Sequence, residues 1–233
     1  AGGVKCWGNN TYGQLGDGTM THRNSPVAVS GLSSGVSQVA SNYSSCALTS
    51  AGGVKCWGVN WHGQLGDGTT TNRTTPVDVS GLSSGVTQIS AGHYNTCATL
   101  SSGGVKCWGP NWFGQLGNGA ANGGSYTPVN VSDITSGVTQ ISVGAHNACA
   151  VVSGSAKCWG YNVHGQIGDG TLTNRYVPTD VTGLSSGVTQ ISTGFYSACA
   201  TVSGSAKCWG WNSNGQVGDG ENFSYPTPQN VGQ

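Results

Sequence analysis

The chain has 233 residues, of which only 7% are charged, eight basic against eight acidic. That balance offers no basic footprint to neutralise phosphates or to lie on an anionic membrane, so nucleic acid and membrane insertion are excluded as expected partners. No run approaches the roughly 18 to 20 apolar residues of a bilayer-spanning helix, while 36% apolar residues and eight tryptophans among 41 glycines describe a folded, turn-rich chain.

In chain order, the CWG core recurs at Cys6, Cys56, Cys107, Cys158 and Cys208, in steps of 50, 51, 51 and 50 residues. A second anchor, SGVTQIS or SGVSQVA, starts at Ser34, Ser84, Ser136 and Ser186. The first elements expected are therefore an isolated strand pair, Gly3–Gly8 and Pro26–Val29, followed by four sets of four short strands. In the second of these sets, strand A is expected at Val86–Ser90, strand B at Thr96–Leu100, strand C at Gly104–Gly109 and strand D around Pro128–Val131. Nothing in the chain keeps a helical period. Four antiparallel strands repeated at this spacing predict an all-β fold, a β-propeller of about 50-residue blades, with four full blades and a partial N-terminal blade. Residues 1–233 are expected to form a single repeat array.

The tryptophan-glycine pair and the phrase NxxGQLGDGT, present in full or in variant form five times, give the chain a specific likeness. It resembles the regulator of chromosome condensation repeats, with their hydrophobic inner strand, ALT-like strand, WG strand and N..GQLG.G connection. WD-repeat and kelch patterns fit less well. The resemblance implies a ring that usually closes with seven blades, so the partial blade is expected to mean an open array or a fragment of a larger ring. Its bare strand C edge would then be covered by another molecule. Ser44, Asn95, Asn147 and Ser197 stand where many members of that family carry histidine. Nuclear members act as exchange factors on a small GTPase and contact chromatin, and some similar bacterial propellers are secreted β-lactamase inhibitors. The scarcity of charge argues against carrying the nuclear role over.

Eight cysteines fall in pairs across a strand B and a strand C: Cys46 with Cys56, Cys97 with Cys107, Cys149 with Cys158, and Cys199 with Cys208. In CALTSAGGVKC and CATLSSGGVKC the midpoint defines three-residue loops, Ser50–Gly52 and Ser101–Gly103, with glycine at the left-handed third position. CAVVSGSAKC and CATVSGSAKC are one residue shorter and turn on two residues, Ser153–Gly154 and Ser203–Gly204. The loop length changes while the cysteines stay opposed, which predicts four cross-strand disulfides. Each closes a loop of about 10 residues, worth about 2.5–3 kcal/mol in the chain-entropy picture. Persistent disulfides place the protein outside the cell or on its surface. Close CxxC spacing is missing, which leaves no zinc motif. Cys6 is left over, unpaired or bridged to another molecule.

Motifs for catalysis are poor, and neither an enzyme nor a cofactor is expected. GQLGDGT lacks the GK[ST] of a phosphate loop and recurs as scaffold does. Asp17, Asp67, Asp169 and Asp219 sit in these turns as amide caps, and Asn118 replaces them once. The five histidines occupy different repeat positions without metal-ligand spacing. Lys5, Lys55, Lys106, Lys157 and Lys207 precede every CW pair and are expected to lay their stems on a neighbouring blade.

The informative residues are those that differ between copies. After WG these include Tyr12, Trp61, His62, Trp112, Phe113, Tyr161, His164 and Trp211; before the strand B cysteine they include Tyr43, Tyr94, His146 and Tyr196. The first set lies in C-to-D connections and the second in A-to-B connections, which emerge on one rim of an antiparallel blade. Variable aromatic loops on a repeated scaffold predict a binding surface. The expected function is recognition of a protein partner, with a glycan as the alternative ligand and self-assembly through the incomplete first blade as the third.

Overall fold

A computed structural model describes residues 2–232, and every regular element among them is a β-strand. A two-stranded sheet comes first, β1 (Lys5–Gly8) with β2 (Arg23–Ala28). Four four-stranded antiparallel sheets follow. The first has β3 (Val36–Ser41), β4 (Ser44–Thr49), β5 (Val54–Gly58) and β6 (Arg73–Asp78). The second has β7 (Val86–Ala91), β8 (Thr96–Leu100), β9 (Val105–Pro110) and β10 (Gly124–Asn130). Next come β11 (Val138–Val143), β12 (Asn147–Val152), β13 (Ser155–Gly160) and β14 (Arg175–Asp180). The last sheet has β15 (Val188–Thr193), β16 (Ser197–Val202), β17 (Ser205–Gly210) and β18 (Tyr225–Asn230). In each, strands neighbouring in sequence are neighbours in the sheet.

By its contacts the chain divides into two compact units. One comprises Ala1–Ser101, Lys106–Pro110 and Gly124–Val129; the other comprises Ser102–Val105, Asn111–Gly123 and Asn130–Gln233. In the first, Leu48, Val54, Leu65, Val79, Leu82, Ile89 and Trp108 share one buried cluster; in the second, Ile167, Val181, Leu184, Val188, Ile191 and Trp209 share another. Within each unit consecutive sheets pack through their first strands, β3 and β4 against β7, and β11 and β12 against β15. A glutamine fastens each of these contacts. Gln38 accepts from the Ile89 N–H at 2.9 Å and donates to its carbonyl at 2.8 Å, and Gln140 accepts from the Ile191 N–H at 2.8 Å.

Strand D begins earlier than the turn residues suggested: β10 runs Gly124–Asn130, and β2 starts at Arg23. The cause is a bulge in strand D opposite the tryptophan: the step from Cys6 to Gly8 faces the longer step from Val27 to Arg23, and Cys56 to Gly58 faces Val77 to Arg73. The prolines of β2, β6 and β14 are tolerated because strand D is the outermost of each sheet, where one side needs no partner.

The sulfurs meet as their spacing required. Cys46 is directly opposite Cys56, Cys149 opposite Cys158 and Cys199 opposite Cys208, and all four bridges are formed. Gly52 and Gly103 take φ of 81° and 82° in the longer loops, while Ser153 and Gly154 form the shorter turn at φ of 50° and 81°. Cys6 is a free, half-buried thiol, and burial pushes its pKa up. The lysines differ from expectation. Lys55 and Lys157 reach across their own sheet, pairing at 2.6 Å with Asp78 and Asp180, their register partners on strand D. These pairs are open to solvent and contribute little to stability.

Replacing Cys97 and Cys107 together by serine is expected to lower unfolding free energy by about 2–3 kcal/mol. The urea midpoint should fall without loss of the β-rich circular dichroism spectrum. An unchanged midpoint would mean that the bridge does not constrain the unfolded chain.

Candidate functional site

The glycine of each WG pair builds the site. Gly58, Gly109, Gly160 and Gly210 hold φ between 96° and 108°, the left-handed side that favours glycine. A Cβ on Gly109 would stand 2.6 Å from the Tyr94 carbonyl oxygen, so the A-to-B connection lies directly on this bulge. The next residue ties the two connections together: the Tyr161 N–H donates to the His146 carbonyl and the Trp211 N–H to the Tyr196 carbonyl, both at 2.9 Å. A side chain just after WG is thereby set beside one just before strand B.

The C-to-D connection is shaped by one buried asparagine per repeat. Asn60 receives the Leu65 N–H on Oδ1 at 2.9 Å and donates through Nδ2 to the carbonyls of Thr69 and Thr71 at 3.0 and 3.1 Å. Asn10 and Asn162 repeat all three bonds, while Asn111 and Asn212 hold the equivalent amide and the first of the two carbonyls. The following aspartate caps the turn: Asp67 Oδ1 accepts from both the amide and the hydroxyl of Thr69, and Oδ2 pairs with Arg73 at 2.7 Å. Asp17 with Arg23 and Asp169 with Arg175 repeat the clamp. Burial raises the pKa of Asp67, but the Thr69 hydroxyl, Arg73 and the Thr69 amide outweigh it, so the carboxyl lies below its ordinary value. Asp169 is lowered against burial by the same set of partners.

On this frame the variable rings touch one another. In the first unit Tyr12 meets Trp61 edge-on at 4.8 Å between centroids, and Tyr43 meets His93 at 4.3 Å and Tyr94 at 6.2 Å. Tyr94 also contacts His62 at 6.0 Å. In the second unit Phe113 lies 4.7 Å from Tyr161 and 5.3 Å from His146, which also meets Trp112. His164 stacks on Trp211 at 5.5 Å and meets Tyr196 edge-on at 5.0 Å. His62 with Tyr94, Trp112 and Phe113 with His146, and His164 with Tyr196 join rings from both kinds of connection, while Tyr12 and Trp61 both come from C-to-D connections. His93 and Phe195 complete these clusters. Both are variable residues beside Tyr94 and Tyr196, and Phe195 packs on Tyr196 at 4.5 Å.

The rings are not simply gap-fillers. Trp61, Trp112, Tyr43 and Phe195 keep 41–49% of their surface in solvent. Burial depresses the His93 pKa, disfavouring the charged imidazole. Beneath the rings, the side-chain amides of Asn95 and Asn147 are buried without a hydrogen bond to protein. In the first unit a cleft of about 730 Å³ is lined by Cys6, Trp7, Tyr12, Val39 and Tyr43. Among the described residues no three His, Cys, Asp or Glu side chains are grouped as a metal ion would require.

The regulator of chromosome condensation (RCC1) repeat model matches residues 1–48, 51–99 and 153–201, more than half of the chain, and a second model of the same repeat matches residues 86–115. Among solved structures, human WBSCR16 superposes with a TM-score of 0.87 at 24% identity, over 100% of this chain and 63% of that one. The structure of Kap60 bound to yeast RCC1 (Prp20) gives a TM-score of 0.85 at 19% identity, over 100% of this chain and 57% of the other. Prp20p from Saccharomyces cerevisiae, described with its binding to Gsp1p and histones, gives 0.82 at 20% identity, over 92% and 54%. The chain thus spans about three-fifths of these structures' length, and the likeness establishes the β-propeller fold.

The aspartate clamps set the acid response. Their folded pKa values are depressed, so the stability they contribute is present above the unfolded value of about 3.9 and is lost as pH falls through the folded values. Urea midpoints are expected to hold from pH 7 to about 5 and to drop below about 4. Asp67→Asn should cost about 1 kcal/mol at pH 7 and make the acid slope shallower. An acid slope identical to wild type would remove Asp67 from this account.

Proposed function

Because the chain belongs to the regulator of chromosome condensation repeat family, we propose that it is an extracellular or cell-surface binding protein that recognises a protein partner through its aromatic loop clusters. Protein interaction is the general role the fold suggests. The observation that carries the finer reading is the meeting of variable rings from two separate connections, with Trp61, Trp112, Tyr43 and Phe195 left largely exposed. Rigid, amphipathic rings held by a repeated frame are the residues that dominate binding energy at interfaces. Four disulfides fit an oxidising compartment.

The yeast relative's partners, Gsp1p and histones, are not carried over. This chain has a formal net charge of zero and only 7% charged residues, so it lacks a field to steer a highly charged partner. Its recognition surface is apolar and aromatic.

The test pairs wild type with a Trp61→Ala/Trp112→Ala variant that keeps its melting temperature and its four bridges. Proteins from the source's secreted and surface fraction are captured on both, purified, and titrated calorimetrically, with a glycan array run alongside. Loss of affinity by about tenfold or more for one purified protein is expected, since truncating a central interface ring costs more than 1 kcal/mol. Equal affinity of the two forms sinks the reading. Sugar binding that disappears with the same two rings would transfer the site to glycans.

A second reading, self-association at β1, is favoured by one observation. Among the described residues β1 pairs only with β2, and the 730 Å³ cleft opens beside it with Trp7 62% exposed. Light scattering and non-reducing electrophoresis should then show a dimer or higher species that Cys6→Ser or Trp7→Ala weakens. A strict monomer at high concentration excludes it.

A further inference from the structure

The connection that follows Trp112 and Phe113 departs from its sisters in how its tip is held. In three other repeats the residue twelve positions after the anchoring asparagine fastens the tip. His22 Nδ1 accepts from the Asn10 N–H at 2.9 Å, and the Oδ1 atoms of Asn72 and Asn174 accept from the Asn60 and Asn162 N–H groups at 2.8 Å. The next residue is the arginine that clamps the aspartate, Arg23, Arg73 or Arg175. After Asn111 these two positions are Gly123 and Gly124, and the aspartate is Asn118. Both side-chain fasteners are gone. The tip reads Asn122-Gly123-Gly124, with Asn122 and Gly123 exposed and both at positive φ, 72° and 71°.

Asn-Gly is the dipeptide in which a side-chain amide is most open to attack by the next main-chain nitrogen, because glycine puts no side chain in the way. The chain has three, at Asn118, Asn122 and Asn214. Two have the nucleophile occupied: the Gly119 N–H donates to the Tyr176 carbonyl at 2.9 Å and the Gly215 N–H to the Asn212 carbonyl at 3.0 Å. Asn118 Oδ1 is also held, accepting from Asn111 Nδ2 and the Ala120 N–H at 3.2 Å. Gly123 N–H and the Asn122 side chain have no such restraint, and a Cβ built on Gly123 would meet nothing within 4 Å. The local fastening is a single bond from the Asn122 N–H to the Asn111 carbonyl at 3.2 Å, which leaves the reacting atoms free.

We propose that Asn122 is a built-in site of spontaneous deamidation, selected by the fold from the three Asn-Gly units. The Gly123 nitrogen gives its proton to base and bonds to the Asn122 Cγ. The Cγ–Nδ2 bond breaks and ammonia leaves with the returned proton, closing a five-membered imide. Water then opens the ring. Cleavage at Cγ gives aspartate, and cleavage at the main-chain carbonyl gives isoaspartate, with the chain rerouted through the former side chain. No oxidant or reductant is involved. The product places a carboxylate on the connection that presents Trp112 and Phe113, in a chain with very little charge. This inference stands apart from the binding reading and holds whatever the partner is.

The test incubates the native, disulfide-intact protein in mildly alkaline buffer and maps its peptides by mass over time, with an isoaspartyl methyltransferase assay as second readout. The peptide holding Asn122 is expected to gain the mass of an amide-to-acid exchange and to become methylatable. Asn118 and Asn214 should lag about tenfold, the rate factor of one retained amide hydrogen bond. In the reduced, denatured chain the three should react at comparable rates. Asn122→Gln should remove the methylatable product from that peptide with an unchanged melting temperature, while Gly123→Ala should slow its formation. A native chain in which Asn122 does not outpace the other two overturns the proposal. So does a denatured chain that keeps the same preference, since the selection would then lie outside the fold.

Discussion

One contact fastens each repeat to the connection before it. The indole N–H groups of Trp57, Trp108, Trp159 and Trp209 donate to the main-chain carbonyls of Gln14, Gln64, Gln115 and Gln166 at 2.9 to 3.1 Å, and all four rings are fully buried. A buried indole has to satisfy its polar atom, and the GQLG or GQIG turn of the preceding repeat does so. The turn must then come close, and its second glycine permits that: a Cβ on Gly66 or Gly117 would stand within 2.8 Å of the tryptophan nitrogen. Tryptophan, glutamine carbonyl and glycine therefore recur together because each is useless alone. Trp7, for which no such turn lies among the described residues, stands 62% exposed.

Fixing the tryptophan also fixes the loops. The bulge that turns the indole inward leaves the following glycine at positive φ, and that glycine seats the A-to-B connection against the C-to-D connection. The frame specifies where variable side chains project without specifying what they are. Tyr43, His146 and Tyr196 can differ because the atoms that hold their loops are main-chain carbonyls, which any residue supplies. Four short disulfides reinforce strands B and C of the full sheets; in β4, β8 and β12 both faces are covered, while β16 is buried on alternate residues.

Much of this was legible in the sequence, because repetition turns a single chain into its own alignment. The cysteine pairing could be read from loops that change length by one residue while their flanks stay opposed. What could not be read was side-chain reach. Gln38 and Gln140 sit in a repeated SGVTQIS phrase that looks like plain strand, and nothing in its period shows that the amide spans to Ile89 or Ile191 of the next sheet. The lysines were misplaced for a related reason. Register with Asp78 and Asp180 depends on the bulge opposite the tryptophan, where strand D carries two residues more than strand C, which pattern counting cannot see. His93 and Phe195 were visible as differences between copies, but their ring contacts came only from the way the two connections meet.

The five C-to-D connections rank the forces that shape them. The asparagine staple is present in every one, and Asn111 still holds the Leu116 N–H and the Ala120 carbonyl after the neighbouring threonines have become alanines. The aspartate-arginine clamp is kept in three, is replaced around Asp219, where the Tyr225 hydroxyl hydrogen-bonds the carboxylate, and is absent where Asn118 stands. The buried staple therefore suffices to fold the turn, as expected when a buried polar group must satisfy several main-chain atoms at once. The more exposed clamp only restrains the tip, which is why the connection after Asn111 can lose it and still present Trp112 and Phe113.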